Sequence, residues 1–371
     1  MSDGDLATLY HLKNNPFASR VQPDSPIAGR KKEQETWHKV VSDKIGSHAS
    51  SLNFVIGDYG LGKTHALYHI KSDAEQLDGV AAVFLKMLPE DEVRNFGLDF
   101  IRRIFKNLDQ RAVLDKLAKA KPLPPADPFH EHSKIIKEYA TGVAFFRDLL
   151  VGGTITKAEL AKRGIRKIPV STETALEYLT VLLAQLHAVG VLTLVLCVDE
   201  AEYIFSQLSA KKAALVFNSL RAMYDLTSTP NYGLKFDKQI ANLIFFFAMS
   251  ADGWSKLTRM EKVESHQGGP IQPLMSRVNK QIMLSPLRKD ESKQLIEEYL
   301  RTSRTTGKKQ SDPLIPYEQS FVDYVFDLTK GHPRNIVERC DYVITEGLRD
   351  HVKVITKAYA RQVFERMNLS A

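Results

Sequence analysis

Leu52-Asn53-Phe54-Val55-Ile56-Gly57-Asp58-Tyr59-Gly60-Leu61-Gly62-Lys63-Thr64 is the stretch on which the fold turns. Its first residues are a short apolar run with the character of a buried strand, and a helical pattern follows from Lys63 towards Leu77. Between them, Gly57 to Thr64 fits G-x-x-x-x-G-K-[ST], the pattern of a phosphate-binding loop, placed after a strand and opening a helix as that loop requires. Glycines let the backbone turn its N–H groups inward, and the helix start adds positive potential. Lys63 has the reach for β- and γ-phosphates, and the Thr64 hydroxyl can ligate Mg²⁺. The residues expected to cradle ATP are therefore Gly57, Asp58, Tyr59, Gly60, Leu61, Gly62, Lys63, Thr64 and His65. A glycine-rich turn that merely matches the pattern is the alternative, and a second motif has to decide.

That motif is Leu194-Val195-Leu196-Cys197-Val198-Asp199-Glu200, an apolar strand ending in two carboxylates. In a sheet that carries a phosphate loop, such a strand end lies beside the phosphates. Asp199 would then hold Mg²⁺ through water, and Glu200 would orient and activate the attacking water. In isolation, two acids after a strand are more often a helix cap and a first-turn charge. The two motifs together favour the catalytic reading.

Outward from the loop, Val80 to Met87 is a second strand, so the order strand, loop, helix, strand predicts a parallel α/β sheet. Residues 89–190 are mostly helical, broken at Lys121-Pro122-Leu123-Pro124-Pro125 and Gly152-Gly153, and read as an insertion between strands. Leu192–Val198 and Leu243–Met249 are continuous apolar runs of the kind buried on both faces, and Lys280–Leu284 could add a fifth strand. Helices are expected at Arg30–Ile45, Lys289–Leu300, Glu318–Leu328, Asn335–Gly347 and Lys357–Met367. Residues 1–29, with Pro16, Pro23 and Pro26, read as an extended lead-in. The expected organisation is a lead-in at 1–29, a nucleotide-binding domain at 30–286 with its helical insertion at 89–190, and an all-helical lid at 287–371.

With 371 residues, 43% of them apolar and 26% charged, the chain can bury a sizeable core. The longest apolar run, around Leu243–Met249, is too short to cross a bilayer, and the first residues carry no export signal. Cys197 and Cys340 are the only cysteines, which argues against a disulfide framework and fits a cytoplasmic setting. A net charge of +7 and a pI near 9.1 favour an acidic partner such as nucleic acid, without settling it.

With these residues in place, the chain resembles the AAA+ ATPases, in the branch of replication initiators and of transposition and phage-defence ATPases. Pro26-Ile27-Ala28-Gly29-Arg30 with Glu33 is similar to the G-R-x-x-E motif of that branch. This resemblance implies that Ile27 and Arg30 lie near the adenine, although an ordinary helix start reads the same way. Ser250 stands where the family places a polar sensor towards the γ-phosphate, but a strand-terminal Ser is commonly a cap. Leu274-Met275-Ser276-Arg277-Val278 resembles the stretch that carries an arginine finger, which implies that Arg277 acts on a neighbouring subunit's ATP, with Arg259 in reserve. Gly331-His332-Pro333-Arg334-Asn335 resembles the G-x-P-R motif of the lid, implying that Arg334 is a second sensor. Phe146–Gly153 with Thr156, Glu159 and Gly164, and the helix Ala175–Val189, are similar to BREX-type phage-defence ATPases.

Other features have plainer readings. Lys157, Lys162, Arg163, Arg166 and Lys167 could meet DNA phosphates or form a solvated helix face. Arg301, Arg304, Lys308 and Lys309 around Thr305-Thr306-Gly307 read as a loop between lid helices. His130 and His132 lack the further ligands of a metal site, and Phe245, Phe246 and Phe247 belong to a buried strand.

The whole predicts an α/β protein: a P-loop parallel sheet with helices on both faces, a helical insertion and a C-terminal helical lid. The expected activity is ATP hydrolysis with Mg²⁺, in a homo-oligomer that acts on DNA and has no membrane attachment. The rivals are a signalling NTPase that binds only protein partners and a phosphotransferase.

Overall fold

The structure is a computed structural model that describes residues 3–18, 27–47, 49–87, 95–203, 210–228, 238–264, 271–305 and 312–367. Its strands are β1 (Ser51–Ile56), β2 (Val80–Lys86), β3 (Thr193–Asp199), β4 (Asn242–Met249) and β5 (Val278–Met283), in one sheet of order β2-β3-β4-β1-β5. The pairs β2–β3, β3–β4 and β4–β1 run parallel. β1, β3 and β4 are buried along their whole length: the apolar runs of β3 and β4 can be satisfied only between two covering layers, and the polar Asn53 of β1 is buried because it bonds the Phe245 carbonyl. β5, with Asn279, Lys280 and Gln281 exposed, forms the wet edge. Each strand lies within a residue or two of its expected position.

The chain forms two compact units, one of residues 35–56 and 70–282 and the other of residues 1–34, 57–69 and 283–371. Along the chain, α2 (Lys31–Ser42) precedes β1 and α3 (Lys63–Glu75) precedes β2, with residues 31–34 and 63–69 in the second unit and the rest in the first; among the described residues, six helices separate β2 from β3. They are α4 (Phe96–Asn107), α5 (Arg111–Lys119), α6 (His130–Ala140), α7 (Ala144–Val151), α8 (Lys157–Lys162) and α9 (Thr172–Ala188). α9 is the spine of this insertion and packs on α4, α5 and α6. Its start is set by Ser171, whose hydroxyl accepts from the Thr174 N–H in a reciprocal cap. α4 presents Phe100, Ile101, Ile104 and Phe105 to the core at helical spacing. After β3 come α10 (Ala210–Ser228), α11 (Ala251–Glu264) and the short α12 (Gln272–Met275).

The second unit gathers α1 (Asp3–Tyr10) with α13 (Lys289–Thr302), α14 (Gln319–Thr329), α15 (Pro333–Arg349) and α16 (Lys357–Arg366). The lead-in is not wholly extended. Residues 3–10 are helical, and Leu6, Tyr10, Leu12 and Phe17 enter the same core as Ile296, Phe321, Val343 and Phe364. Phe17 stacks on Tyr299 with centroids 5.4 Å apart, and the Tyr10 hydroxyl donates to the Val352 carbonyl at 2.7 Å. Arg304 donates to the Tyr10 and Ile315 carbonyls, so it braces this segment and is not a free loop residue. Pro23 and Pro26, and Thr306, Gly307, Lys308 and Lys309, lie outside the described residues.

Candidate functional site

β1 hands the chain at its carboxyl end to the glycine loop. Gly60 and Gly62 sit at φ 82° and 90°, left-handed conformations that a side chain resists. Leu61 N–H donates to Asp58 O at 3.3 Å, and Ala66 N–H to Gly62 O at 2.8 Å, which closes the first turn of α3. The Lys63 ammonium folds back over the loop, 2.9 Å from the Gly57 carbonyl and 3.2 Å from that of Asp58. His65 packs edge-on against His69, their Nε2 atoms 3.1 Å apart.

Two arginines brace this loop. Arg30, 7% exposed and at φ 56°, donates from Nη2 to the Leu61 and Ser285 carbonyls, both at 2.9 Å. Burial lowers its pKa, against the pull of Glu33 and Glu291. Its donors on that nitrogen are committed to backbone, which makes Arg30 a strut of the loop; Ile27 is half-buried nearby in sequence. Arg334, on the first turn of α15, sends its N–H to Gly60 O at 3.3 Å. Its guanidinium lies 4.9 Å from the centre of the Tyr59 ring, bonds the Tyr59 hydroxyl and pairs with Glu338 at 3.0 Å. Two residues before α15, Gly331 leaves no room for a side chain: at φ 76°, an added Cβ would sit 1.9 Å from the Leu287 carbonyl oxygen.

In the sheet unit, β3 ends at Asp199, which is 5% exposed and accepts the Glu200 N–H on Oδ1 at 3.0 Å. Glu200 is at φ 56°, a left-handed conformation that costs a non-glycine residue roughly 1–3 kcal/mol and clusters at functional sites. Its neighbours hold it there: Met87 N–H bonds Asp199 O and Ala201 N–H bonds Ala248 O. The carboxylate reaches Lys86 at 2.9 Å, and this contact raises the lysine pKa. Lys86 closes β2 in register with Asp199. Nothing in the sequence pattern marks Lys86; only the strand register brings it to the acid pair.

Ser250 follows β4 and caps α11, its hydroxyl accepting from Gly253 N–H at 3.0 Å. Arg277 forms a two-pronged pair with Asp225, its Nε 3.0 Å and Nη2 3.2 Å from the two carboxylate oxygens, and also bonds the Pro273 carbonyl. Asp225 is 4% exposed, so this arginine neutralises a buried acid of its own chain. Arg259, on α11, is exposed and has no ion pair among the described residues. His130 bonds the Leu123 carbonyl and His132 pairs with Glu177 at 3.1 Å, both within the insertion. Arg163 lies over the Phe145 ring, and Arg166 and Lys167 send their backbone N–H groups to Glu131. Among the described residues, no group of three or more His, Cys, Asp or Glu could hold a metal, and no helix is long and apolar enough to cross a membrane.

No protein-family model and no curated protein matches this sequence. Solved structures do. The ORC2 protein of Aeropyrum pernix, determined as ADPNP–ADP complexes, superposes with a TM-score of 0.53 at 13% identity, over 95% of this chain and 71% of that one. Cdc6p of Pyrobaculum aerophilum gives 0.48 at 12% identity over 95% and 70% of the two chains. The RuvB Holliday junction branch migration motor of Thermotoga maritima gives 0.46 at 11% over 94% and 76%. The first likeness establishes a shared fold, with the five-stranded sheet and its surrounding helices.

Proposed function

We infer that this chain is an AAA+ ATPase that binds ATP at Gly57–Thr64 and hydrolyses it with Glu200. The observation that carries the reading is the left-handed glycine loop that follows β1, and the acid pair after β3, with Glu200 strained, supports it. β1 and β3 flank β4 in parallel, so both exits lie at the carboxyl edge, where α/β sheets take their ligands. The loop N–H groups and Lys63 would hold the phosphates. Thr64 and Asp199 suit Mg²⁺, a hydroxyl and a carboxylate being hard oxygen donors, and the ion would draw charge from the terminal phosphate oxygens. Glu200 would orient the attacking water and accept its proton, for which it has to leave Lys86. Ser250 would contribute its remaining hydroxyl proton as a donor near the γ-phosphate. Arg334 would exchange Tyr59 for nucleotide as the lid engages.

Assembly enters through an arginine supplied by a neighbour. Arg277, expected in that role, would have to abandon a buried carboxylate, a loss of several kcal/mol. We assign the role to Arg259. The output we favour is a nucleotide-dependent oligomer that loads on or marks DNA, among the transposition and phage-defence relatives of the replication initiators, a reading that the net charge of +7 supports. A switch that binds only proteins is the alternative.

The test is titration of ATP into wild type and Lys63→Ala, followed by duplex DNA retention at graded salt. Loss of nucleotide binding in the variant and ATP-dependent, salt-sensitive retention are expected. Equal ATP affinity in both proteins would refute the phosphate loop, and absence of DNA binding at low salt in every nucleotide state would favour the protein-only switch.

A further inference from the structure

Tyr59, in the middle of the glycine loop, is 78% exposed, the most exposed large apolar side chain among the described residues. Packing does not hold it there. Among the described residues its side chain has one polar partner, the guanidinium of Arg334, whose Cζ lies 4.9 Å from the ring centre and whose Nη1 donates to the hydroxyl. Both residues belong to the helical unit.

The rest of Arg334 is fitted to the loop as closely. Its backbone N–H, one of the donors that a helix start leaves open, meets Gly60 O at 3.3 Å. Its stem lies over Gly60, where an added Cβ would come within 3.3 Å of the Arg334 Cβ and 3.7 Å of its Cδ. Glu338, one turn further along α15, accepts from Nε at 3.0 Å. Nε and Nη1 are thereby engaged, so each edge of the guanidinium that could take a phosphate two-pronged has a nitrogen already in use. The two engagements differ in kind. Glu338 sits on the same helix and travels with Arg334, in an exposed pair of little strength. Tyr59 sits on the loop, and its contact ties the loop to the first turn of α15.

We propose that Tyr59 is a positioning residue that withholds Arg334 from the γ-phosphate until ATP draws the guanidinium off its ring, and that it thereby sets the preference for ATP over ADP. The inference rests on the ATPase reading, with Arg334 as its lid contact. Only the triphosphate brings a γ-phosphate to compete for the guanidinium. A contact given up on binding ATP and kept on binding ADP lowers the affinity for ATP alone, because a ligand shifts an equilibrium only by its differential affinity for the two states. A cation on an exposed aromatic ring is a modest interaction, so the effect on ATP affinity is about two- to fivefold.

The experiment is isothermal titration of ADP and of a slowly hydrolysed ATP analogue into the full chain. Wild type is compared with Tyr59→Ala, Tyr59→Phe, Arg334→Ala and the double variant Tyr59→Ala/Arg334→Ala. The substitutions at Tyr59 leave the backbone N–H of the loop in place, and the exposed ring makes folding independent of them, as a thermal melt will verify. Tyr59→Ala should bind the ATP analogue about two- to fivefold more tightly than wild type, with ADP affinity changed by less than about twofold. Tyr59→Phe, which keeps the ring and loses the hydroxyl, should fall between the two. In the Arg334→Ala background the gain should vanish, since the double-mutant cycle isolates this one contact. Unchanged or weaker ATP binding in Tyr59→Ala, an equal gain for ADP, or a gain that persists without Arg334 would overturn the proposal. Equal ATP affinity in wild type and Lys63→Ala would instead remove the loop reading itself, and the role of Tyr59 with it.

Discussion

At Glu200, two properties meet in one residue: a left-handed backbone and a side chain held by Lys86. The first fixes where the carboxylate starts, and the second would compete with any water that Glu200 activates in the proposed reaction. Lys86→Met removes the competitor. Because both side chains are partly exposed, the pair itself stabilises the fold by no more than about 1 kcal/mol, so the melting temperature should hardly move. Basal phosphate release should rise several-fold, as measured by steady-state turnover. A decrease would mean that the lysine aids catalysis. The acid pair at the end of a strand was readable from Leu194–Glu200, since an apolar run ending in Asp-Glu is a local pattern. The part played by Lys86 was not, because it depends on β2–β3 register. Arg277 illustrates the same limit: its partner Asp225 lies 52 residues upstream, on α10.

At the scale of elements, the strands were the most legible, because β3 and β4 are long unbroken apolar runs that only a covered parallel sheet can use. The helix at Asp3–Tyr10 was not, since its core residues Leu6 and Tyr10 are sparse and find their partners only near the other end of the chain. Between α6 and α9, His132 is fully buried, between Phe129 and Tyr178. Burial depresses its pKa below the ordinary 6.5, outweighing the attraction of Glu177. A depressed histidine binds its proton more readily in the unfolded chain, so stability is lost as pH falls below 6.5 and recovered above it. The contribution of one proton is at most about 1.4 kcal/mol per pH unit. Chemical denaturation between pH 7.5 and 5 should show that slope, reduced in His132→Asn; an unchanged slope in the variant would assign it to other groups.

For the whole molecule, the glycine loop, Gly57–Thr64, belongs to the compact unit of α13–α16, whereas Asp199 and Glu200 belong to the sheet unit. Besides the C-terminal segment expected as a lid from 287, residues 1–34 and 57–69 join the helical unit through contacts distant in sequence. If one nucleotide engages both units and a neighbour's Arg259, subunits with different lesions should rescue one another. Mixing Arg259→Ala with Lys63→Ala should restore a fraction of the turnover that each lacks alone. No recovery at any ratio would count against a shared site.

The most direct test of ATP hydrolysis by Glu200 is turnover and nucleotide affinity measured side by side for wild type and Glu200→Gln. The substitution keeps the shape of the side chain and removes its basicity. Loss of a positioned base lowers rates by roughly 10²–10⁴. Phosphate release at least 100-fold slower with ATP affinity unchanged is the predicted result. Turnover within a few-fold of wild type would contradict it.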